Sequence, residues 1–428
     1  MIARLRFRHG AAVGLRCRAF HSSSAAFTLS QRQMEIVKST APVLEINGIA
    51  IATRFYARMF EDRPDFKNIF NISHMDTGAQ QGALARAVWA YASNIDNLGA
   101  LTPAISRICN RHASMGIVPE QYPILGVHLL AAIKEVLGDA ADEATMDAWE
   151  VAYQQLSDIF IGFEKGLYDK AVTTPGGWNG WREFRVARKL RESGDIISFH
   201  LAPSDRKALP AFKAGRFVSV RCYIPEIGLY QPRQYSLSDI PSRDHFQISV
   251  KREFAAANRP AGWISNVLHE TMPEGSLLEV SMPYGDFTLD LSADTPVVLI
   301  SGGVGLTPMM AMLKTIVEKG KSRPVLFMHA VRNRSVHAMS KDLSEIVSQN
   351  PQVSRMVFYE ELTPGDVKGF DYDHVGRINL KDLKDKVIFP GADYYLCGPV
   401  PFMNAHRAAL QSLGVSADRV HSEVFGAS

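Results

Sequence analysis

The sequence predicts a multidomain protein: an all-α domain, then an antiparallel β-barrel, then an α/β domain on a parallel sheet. Three observations predict it. The 428 residues are too many for one ordinary core. Residues 30–170 carry apolar side chains at helical spacing, with almost no strand-like alternation. Beyond the turn-rich stretch Thr173-Thr174-Pro175-Gly176-Gly177 the pattern shifts to short alternating segments. From about residue 292 it shifts again, to apolar strands alternating with helices.

In the helical part, Ile49, Thr53, Tyr56 and Phe60 share one stripe, and Ile105, Ile108, Cys109 and His112 share another. Pro119 opens a further helix, with Leu125, Leu129 and Ile133 on one face, and a last helix runs roughly from Thr145 to Tyr168. In the middle part, Phe184 alternates with Val186. Ile197, Phe199 and Leu201 follow the same period, as do Phe246, Ile248 and Val250. Gly215, Pro225, Pro232 and Pro241 punctuate these segments, the pattern of a small antiparallel barrel. In the last part, strands are expected at 297–301, 325–330, 353–359, 393–397 and 420–425, forming a parallel sheet covered on both faces.

Composition narrows the function. With 46% apolar and 21% charged residues the chain reads as a globular protein, and no apolar run approaches a membrane span, so stable membrane insertion is not expected. Residues 1–27 hold Arg4, Arg6, Arg8, Arg16 and Arg18 but no acid; the first acid is Glu35. Without those five arginines the formal charge of +3 falls to −2, so there is no basic excess for nucleic acid. An Arg-rich, acid-free start followed by Ser22-Ser23-Ser24 fits a mitochondrial transit peptide over residues 1–27 and a mitochondrial (matrix) destination. Cys17, Cys109, Cys222 and Cys397 are far apart, which argues against a disulfide framework, a zinc site or an iron–sulfur cluster.

Three motifs carry chemistry, in order. Arg233-Gln234-Tyr235-Ser236 places an arginine and an aromatic on one face of a strand. The arginine can pair a flavin phosphate, the tyrosine can pack on the isoalloxazine, and Ser236 can bond its polar edge. Gly262-Trp263-Ile264-Ser265 can start a helix whose amides take a pyrophosphate. Gly303-Val304-Gly305-Leu306-Thr307-Pro308 follows a buried strand; its glycines would let a dinucleotide pyrophosphate approach, with Thr307 capping the next helix and Pro308 in its first turn. Cys397-Gly398-Pro399 would end a late parallel strand beside the nicotinamide. Read alone, each has an ordinary structural explanation. Arg332 and Arg334, after the second parallel strand, stand where a 2′-phosphate could be read and could equally be solvated loop charges.

As an ordered set, Arg-x-Tyr-Ser, Gly-Gly-x-Gly-x-Thr-Pro and Cys-Gly-Pro resemble the ferredoxin–NADP reductase family over about residues 178–428. The terminal Glu423-Val424-Phe425 is similar to that family's C-terminal end, which implies Phe425 as an aromatic lid on the flavin. Phe217 stands where a flavin-contacting tyrosine is common. Residues 30–170 resemble a globin, through Phe55-Tyr56-Ala57-Arg58-Met59-Phe60, Ile69-Phe70-Asn71 and His112. A globin joined to this reductase type is the flavohemoglobin architecture. That resemblance implies a globin haem domain over 28–172, an FAD-binding barrel over 173–291 and an NAD(P)-binding domain over 292–428, in a fungal-type mitochondrial form.

The resemblance also implies roles. His112 would be the proximal iron ligand, with His128 on the next helix as the alternative from residues alone. Tyr56 and Gln80 would be the distal polar groups, with Gln81 adjacent in register, Leu84 one turn on and Phe70 wedging the haem. Tyr122 and Glu164 would make the proximal histidine more electron-donating, although Glu164 reads equally as a solvated helix charge. Arg111 stands where a lysine is usual. The implied activity is NAD(P)H-dependent nitric oxide dioxygenation with haem b, FAD and NAD(P)H as cofactors. NO and O2 would be the small-molecule partners, and no obligate protein partner is expected. The alternative is a haem gas sensor or oxygen-binding protein with a built-in reductase.

Overall fold

The computed structural model describes residues 29–256 and 260–426; the leader over residues 1–27 lies outside them. The helical domain holds α1 Gln31–Ser39, α2 Ala41–Asp62, α3 Ile72–Asp76, α4 Ala79–Ser93, α5 Thr102–Met115, α6 Gln121–Leu137 and α7 Glu143–Thr173. Local signals set their ends. Ser30 and Gln33 form a capping box on α1, and the Asn71 side chain accepts the His74 N–H at α3. Pro103 opens α5, and left-handed Gly116 closes it.

Three helix expectations need correction. On α2 only Tyr56 of the expected stripe is buried; Ile49 is 56% exposed, and Thr53 is exposed with its hydroxyl donated to the Ile49 carbonyl (2.8 Å). Its true core face is Leu44, Ile51, Ala52, Phe55 and Met59, because α2 packs against both α4 and α6. Pro119 precedes rather than opens α6. The last helix starts at Glu143, because the Asp142 carboxylate caps it by accepting the Thr145 N–H (2.8 Å), and it runs on to Thr173.

The second domain is a six-stranded antiparallel sheet of β1 Arg182–Arg191, β2 Ile196–Pro203, β3 Phe217–Ile224, β4 Leu229–Ser236, β5 Phe246–Lys251 and β6 Leu277–Val280, with α8 Trp263–Glu270 before β6. The order is β4-β3-β6-β1-β2-β5, and a bridge from Leu237 to Ile248 brings its two edges together into a barrel. Pro232 lies inside β4 rather than between segments. Its missing N–H is tolerated because β4 is an edge strand there.

The third domain alternates β7 Val297–Gly302, α9 Leu306–Glu318, β8 Val325–Val331, α10 Ser340–Gln349, β9 Val353–Tyr359, β10 His374–Val375, α11 Lys384–Val387, β11 Asp393–Gly398, α12 Val400–Ser412 and β12 Val420–Val424. All pairings are parallel in the order β10-β9-β8-β7-β11-β12. Strand order reverses between β7 and β11, the place where open α/β sheets leave a crevice at their C-terminal edge.

Helix α5 joins the first two domains. The Ser106 hydroxyl donates to Asp286 (2.7 Å), the Gly285 N–H donates to the Asn110 side chain (2.8 Å), and the Ser219 hydroxyl donates to Ser114 (2.8 Å). On the far side of the interface, Gln231 of β4 accepts the Ile72 N–H and donates to the Lys67 carbonyl, both at 3.1 Å.

Candidate functional site

The first centre lies between α5, α6 and α7. His112, in the last turn of α5, places Nδ1 2.8 Å from Glu164 Oε1 and 3.2 Å from the Tyr122 hydroxyl. Tyr122 donates to that same carboxylate oxygen at 2.6 Å. Glu164 is 2% exposed, so it is not a solvated helix charge. Gly126 makes room for this arrangement: a Cβ there would meet the Tyr153 ring at 2.4 Å. The close approach lets the Tyr153 hydroxyl donate to the Tyr122 carbonyl (2.6 Å). Burial, reinforced by Glu164, raises the Tyr122 phenol far above its usual range, so it remains a donor. With Nδ1 held by a carboxylate, Nε2 is the nitrogen left for a metal. His128 is engaged elsewhere, its Nε2 3.3 Å from Asp62.

Tyr56, on α2, sits in an aromatic cluster, with ring centroids 5.9 Å from Phe60 and 5.4 Å from Phe70. Gln80 Nε2 donates to the Tyr56 hydroxyl at 3.2 Å, whereas Gln81 turns to the Met75 carbonyl. That leaves the Tyr56 proton free for a ligand. Burial pushes the Tyr56 phenol up to about 12, with Gln80 pulling the other way, so it is protonated at neutral pH. Leu84 packs in the same core cluster as Tyr56 and lines a void of about 10 Å³ with Gly48 and Ile51.

The second centre is a cleft of about 340 Å³ where all three domains meet. Of the residues expected there, Phe217, Arg233, Gln234, Tyr235, Ser236, Gly262, Ile264, Ser265, Val304, Thr307, Glu423, Val424 and Phe425 line it. Arg233 gives Nη1 to the Pro232 carbonyl (2.6 Å), while its buried Nη2 has no hydrogen-bond partner among the described residues. Burial lowers this guanidinium to about 10, still charged at neutral pH. Such a donor fits a phosphate oxygen. The N-terminus of α8 has no side-chain cap, so its first amides are open to the cleft. Burial raises the Glu423 carboxyl to about 7, against the pull of Arg111.

The third group is the glycine turn. A Cβ on Gly305 would lie 2.2 Å from the Cys397 carbonyl oxygen, so the turn and the end of β11 touch backbone to backbone. Gly303 has φ +56°. Gly398 and Pro399 close on Gly302 from the other side, with Gly398 approaching its amide. Thr307 does not cap α9. The turn winds as a 3-10 segment over Gly303–Gly305, so the helix begins at Leu306 and the Thr307 hydroxyl donates to the Val304 carbonyl (3.1 Å). Leu306 and Pro308 are both buried, Leu306 in the domain core. Cys397 is wholly buried, and burial raises its thiol well above its usual range.

Residues 53–160 match the globin family model, and residues 299–408 match the oxidoreductase NAD-binding domain model. The flavohemoprotein of Chromobacterium violaceum is 50% identical over 398 residues, covering 93% of this chain and 98% of its own length. The chain belongs to the flavohemoprotein family. A second member, from Rhizobium meliloti, is 48% identical over 398 residues, covering 93% and 98% of the two chains. The crystal structure of a flavohemoglobin from Malassezia yamatoensis, solved with FAD and haem bound, is similar at a TM-score of 0.81 and 26% identity, covering 93% of this chain and all of that one. The FAD/NAD-binding domain of a Vibrio cholerae nitric oxide dioxygenase covers 57% of this chain and 98% of its own, at 33% identity and a TM-score of 0.52.

Sequence reasoning missed the helical domain's share of this flavohemoprotein's cleft. Asn71, Ser73, His74 and Thr77 line it from α3 and its flanks, and Ser249, Lys251 and Glu253 line it from the barrel. Burial, followed by the charges of Arg233 and Arg111, lowers His74 to about 4, so it is neutral. Arg111, which stands where a lysine is usual, has a role the sequence does not show. It donates to the carbonyls of Val424 (2.9 Å) and Gly426 (2.8 Å), tying the residues on either side of Phe425 to the helix that carries His112.

Proposed function

We propose that this chain is an NAD(P)H-dependent nitric oxide dioxygenase, converting one NAD(P)H, two NO and two O2 to NAD(P)+, two nitrates and a proton. The observation that carries the reading is His112 Nδ1 held by Glu164 and Tyr122 in a molecule that also has a cleft lined by Arg233, Tyr235, Ser236 and Phe425. When bound, FAD splits a hydride's two electrons into single ones, and haem iron receives them and binds O2. The residues suited to hold these groups are His112 and Phe70 for haem, and Arg233, Tyr235, Ser236 and the α8 N-terminus for FAD.

Each residue then has a stated task. Glu164 and Tyr122 fix the His112 ring and raise the basicity of its Nε2. A more electron-donating axial ligand favours oxygen activation over storage, which counts against a gas store. Gln80 holds the Tyr56 oxygen, so the phenol proton points away to a diatomic ligand. Arg111 keeps the chain end beside the flavin cleft.

The test is an NO-electrode assay with the haem- and FAD-loaded protein. Two NO consumed per NAD(P)H, with nitrate as product, is the expected result. Tyr56→Phe should keep haem and lower NO turnover about tenfold or more, the worth of one hydrogen bond to a charged group. Unchanged turnover would sink the distal role, and slow NO loss with intact O2 binding would favour the sensor or store.

We also propose import into the mitochondrial matrix, as a fungal-type mitochondrial form, on the strength of the acid-free, five-arginine start. Residues 1–27 fused to a fluorescent reporter should carry it into mitochondria, and a diffuse signal would refute the address.

A further inference from the structure

A chain of buried polar side chains links the flavin cleft to the outer face of the barrel. Ser198 of β2 and Ser249 of β5 are register partners, and Ser238 follows the Leu237–Ile248 bridge that joins β4 to β5. Ile197, Phe199, Leu237, Ile248 and Val250 belong to the barrel core, so strand alternation turns the three serines to the other face. All three are buried there, with Ser198 and Ser238 at 0% exposure and Ser249 at 3%. Ser249 also lines the flavin cleft. Packing alone would be served by alanines, without the cost of desolvating three hydroxyls.

The hydrogen bonds run in one direction. The Ser198 hydroxyl donates to Glu192 Oε1 at 2.6 Å. A hydroxyl has one proton, so Ser198 can only accept from Ser249 (2.7 Å), and Ser249 can only accept from Ser238 (2.7 Å). At the far end Gln247 Nε2 donates to Ser238 (3.2 Å). The Gln247 carbonyl does not divert the Ser238 proton, because it lies 3.4 Å away and already accepts the Ser238 N–H (2.9 Å). Ser249 Oγ is left with one lone pair for the cleft. Glu192 is the half-buried end of the chain. Burial, helped by Asp342, raises its carboxyl above the ordinary value, against the Ser198 donation, the charge of Lys314 and the Met339 N–H. Such a carboxylate takes a proton more readily than an exposed one.

We propose that Ser249, Ser198 and Glu192 carry a proton out of the flavin cleft. The inference rests on the reading that this cleft holds FAD. Nitric oxide dioxygenation brings a hydride into the cleft and takes two electrons out, so one proton must leave per NAD(P)H. A proton reaching Ser249 Oγ is matched by transfer of the Ser249 proton to Ser198 and of the Ser198 proton to Glu192. The O–H bonds formed and broken balance, no charge stays on a serine, and Glu192 then gives its proton to water.

The test follows proton release directly. The haem- and FAD-loaded protein, photoreduced without oxygen, is mixed with ferricyanide, which takes electrons but no protons, in unbuffered solution with a pH-indicator dye. In the wild type the dye should change in step with flavin oxidation. Ser198→Ala breaks the chain and should slow the dye signal about 100-fold or more, the worth of one positioned proton-transfer group, with FAD affinity unchanged. Ser198→Thr, which restores the hydroxyl, should recover the rate. Glu192→Gln should slow release in the same way, and it serves as the second break if Ser198→Ala does not fold. Release at the wild-type rate in these two variants, or slow release that Ser198→Thr leaves slow, would overturn the relay. A wild type that binds no FAD would overturn the flavin reading with it. Loss of NO turnover with the relay intact would overturn only the dioxygenase.

Discussion

The proximal side of the helical domain and the flavin cleft are built on opposite plans. His112 Nδ1, Tyr122 and Glu164 form a closed set, bonded to one another at 2.6–3.2 Å, with Tyr122 and Glu164 buried. In the cleft the comparable groups are open. Among the described residues Arg233 keeps a buried Nη2 without a partner, and α8 has no side-chain cap on its first amides. A closed set cannot gain a ligand at the atoms that close it; it can only tune the one atom it leaves out, Nε2. An open set has desolvated donors that cost free energy until something accepts from them. The difference separates a tuning device from a binding device, and it makes their mutants separable.

The largest effect is expected where the closed set is broken without emptying it. Glu164→Gln keeps the shape but removes the charge that makes His112 basic. NO turnover should fall by about 10–100-fold, the usual cost of losing such a partner, with haem retained and FAD affinity unchanged. Turnover within twofold of wild type would show that the carboxylate is only structural, and the contrast between the two centres would lose its functional meaning.

Next comes the open set. Arg233→Ala removes the donor that awaits a phosphate. FAD should bind about 10–100-fold more weakly, corresponding to about 1.5–3 kcal/mol for a hydrogen bond to a charged group, with the haem spectrum unaltered. Fluorescence titration of the FAD-stripped protein measures it. A variant that loses haem together with FAD would mean that the two centres are one cooperative unit.

How much of this was legible depended on whether the signal was local. The Arg233–Ser236 strand and the Gly303–Gly305 turn are short contiguous patterns, and the three-layer succession of folds follows from period alone. The misses share a cause. Ile49 and Thr53 misled because α2 is packed by both α4 and α6, and exposed apolar residues such as Ile46 and Ile49 blur the face that periodicity would declare. Thr307 misled because a 3-10 turn precedes the helix, whose cap is Gly305 rather than Thr307, a two-residue shift beyond the reach of sequence rules. The place of His74 in the cleft and the contacts of Arg111 could not be found at all. Their partners lie on other domains, more than 150 residues away for Arg233 and more than 300 for Val424. Glu164 is the intermediate case: an acid on a long helix looks solvated until the fold buries it against His112.

The smallest expected effect probes the boundary between the two plans, where Glu423 borders the cleft and feels the charge of Arg111 from the His112 helix. Burial raises its folded-state pKa from the ordinary carboxylate value to about 7. The folded protein therefore holds a proton between pH ~4.5 and ~7 that the unfolded chain has released. With the pKa raised, the neutral form is the favoured one. Glu423 costs nothing below the unfolded pKa, and the cost grows as pH rises and levels off above pH ~7. Glu423→Gln, which stays neutral, should match the wild type in thermal midpoint near pH 4.5 and exceed it progressively up to pH 8. A constant difference across that range would place Glu423 among the satisfied groups, charged and well paired with Arg111. That outcome would extend the closed plan from the proximal helix into the edge of the flavin cleft.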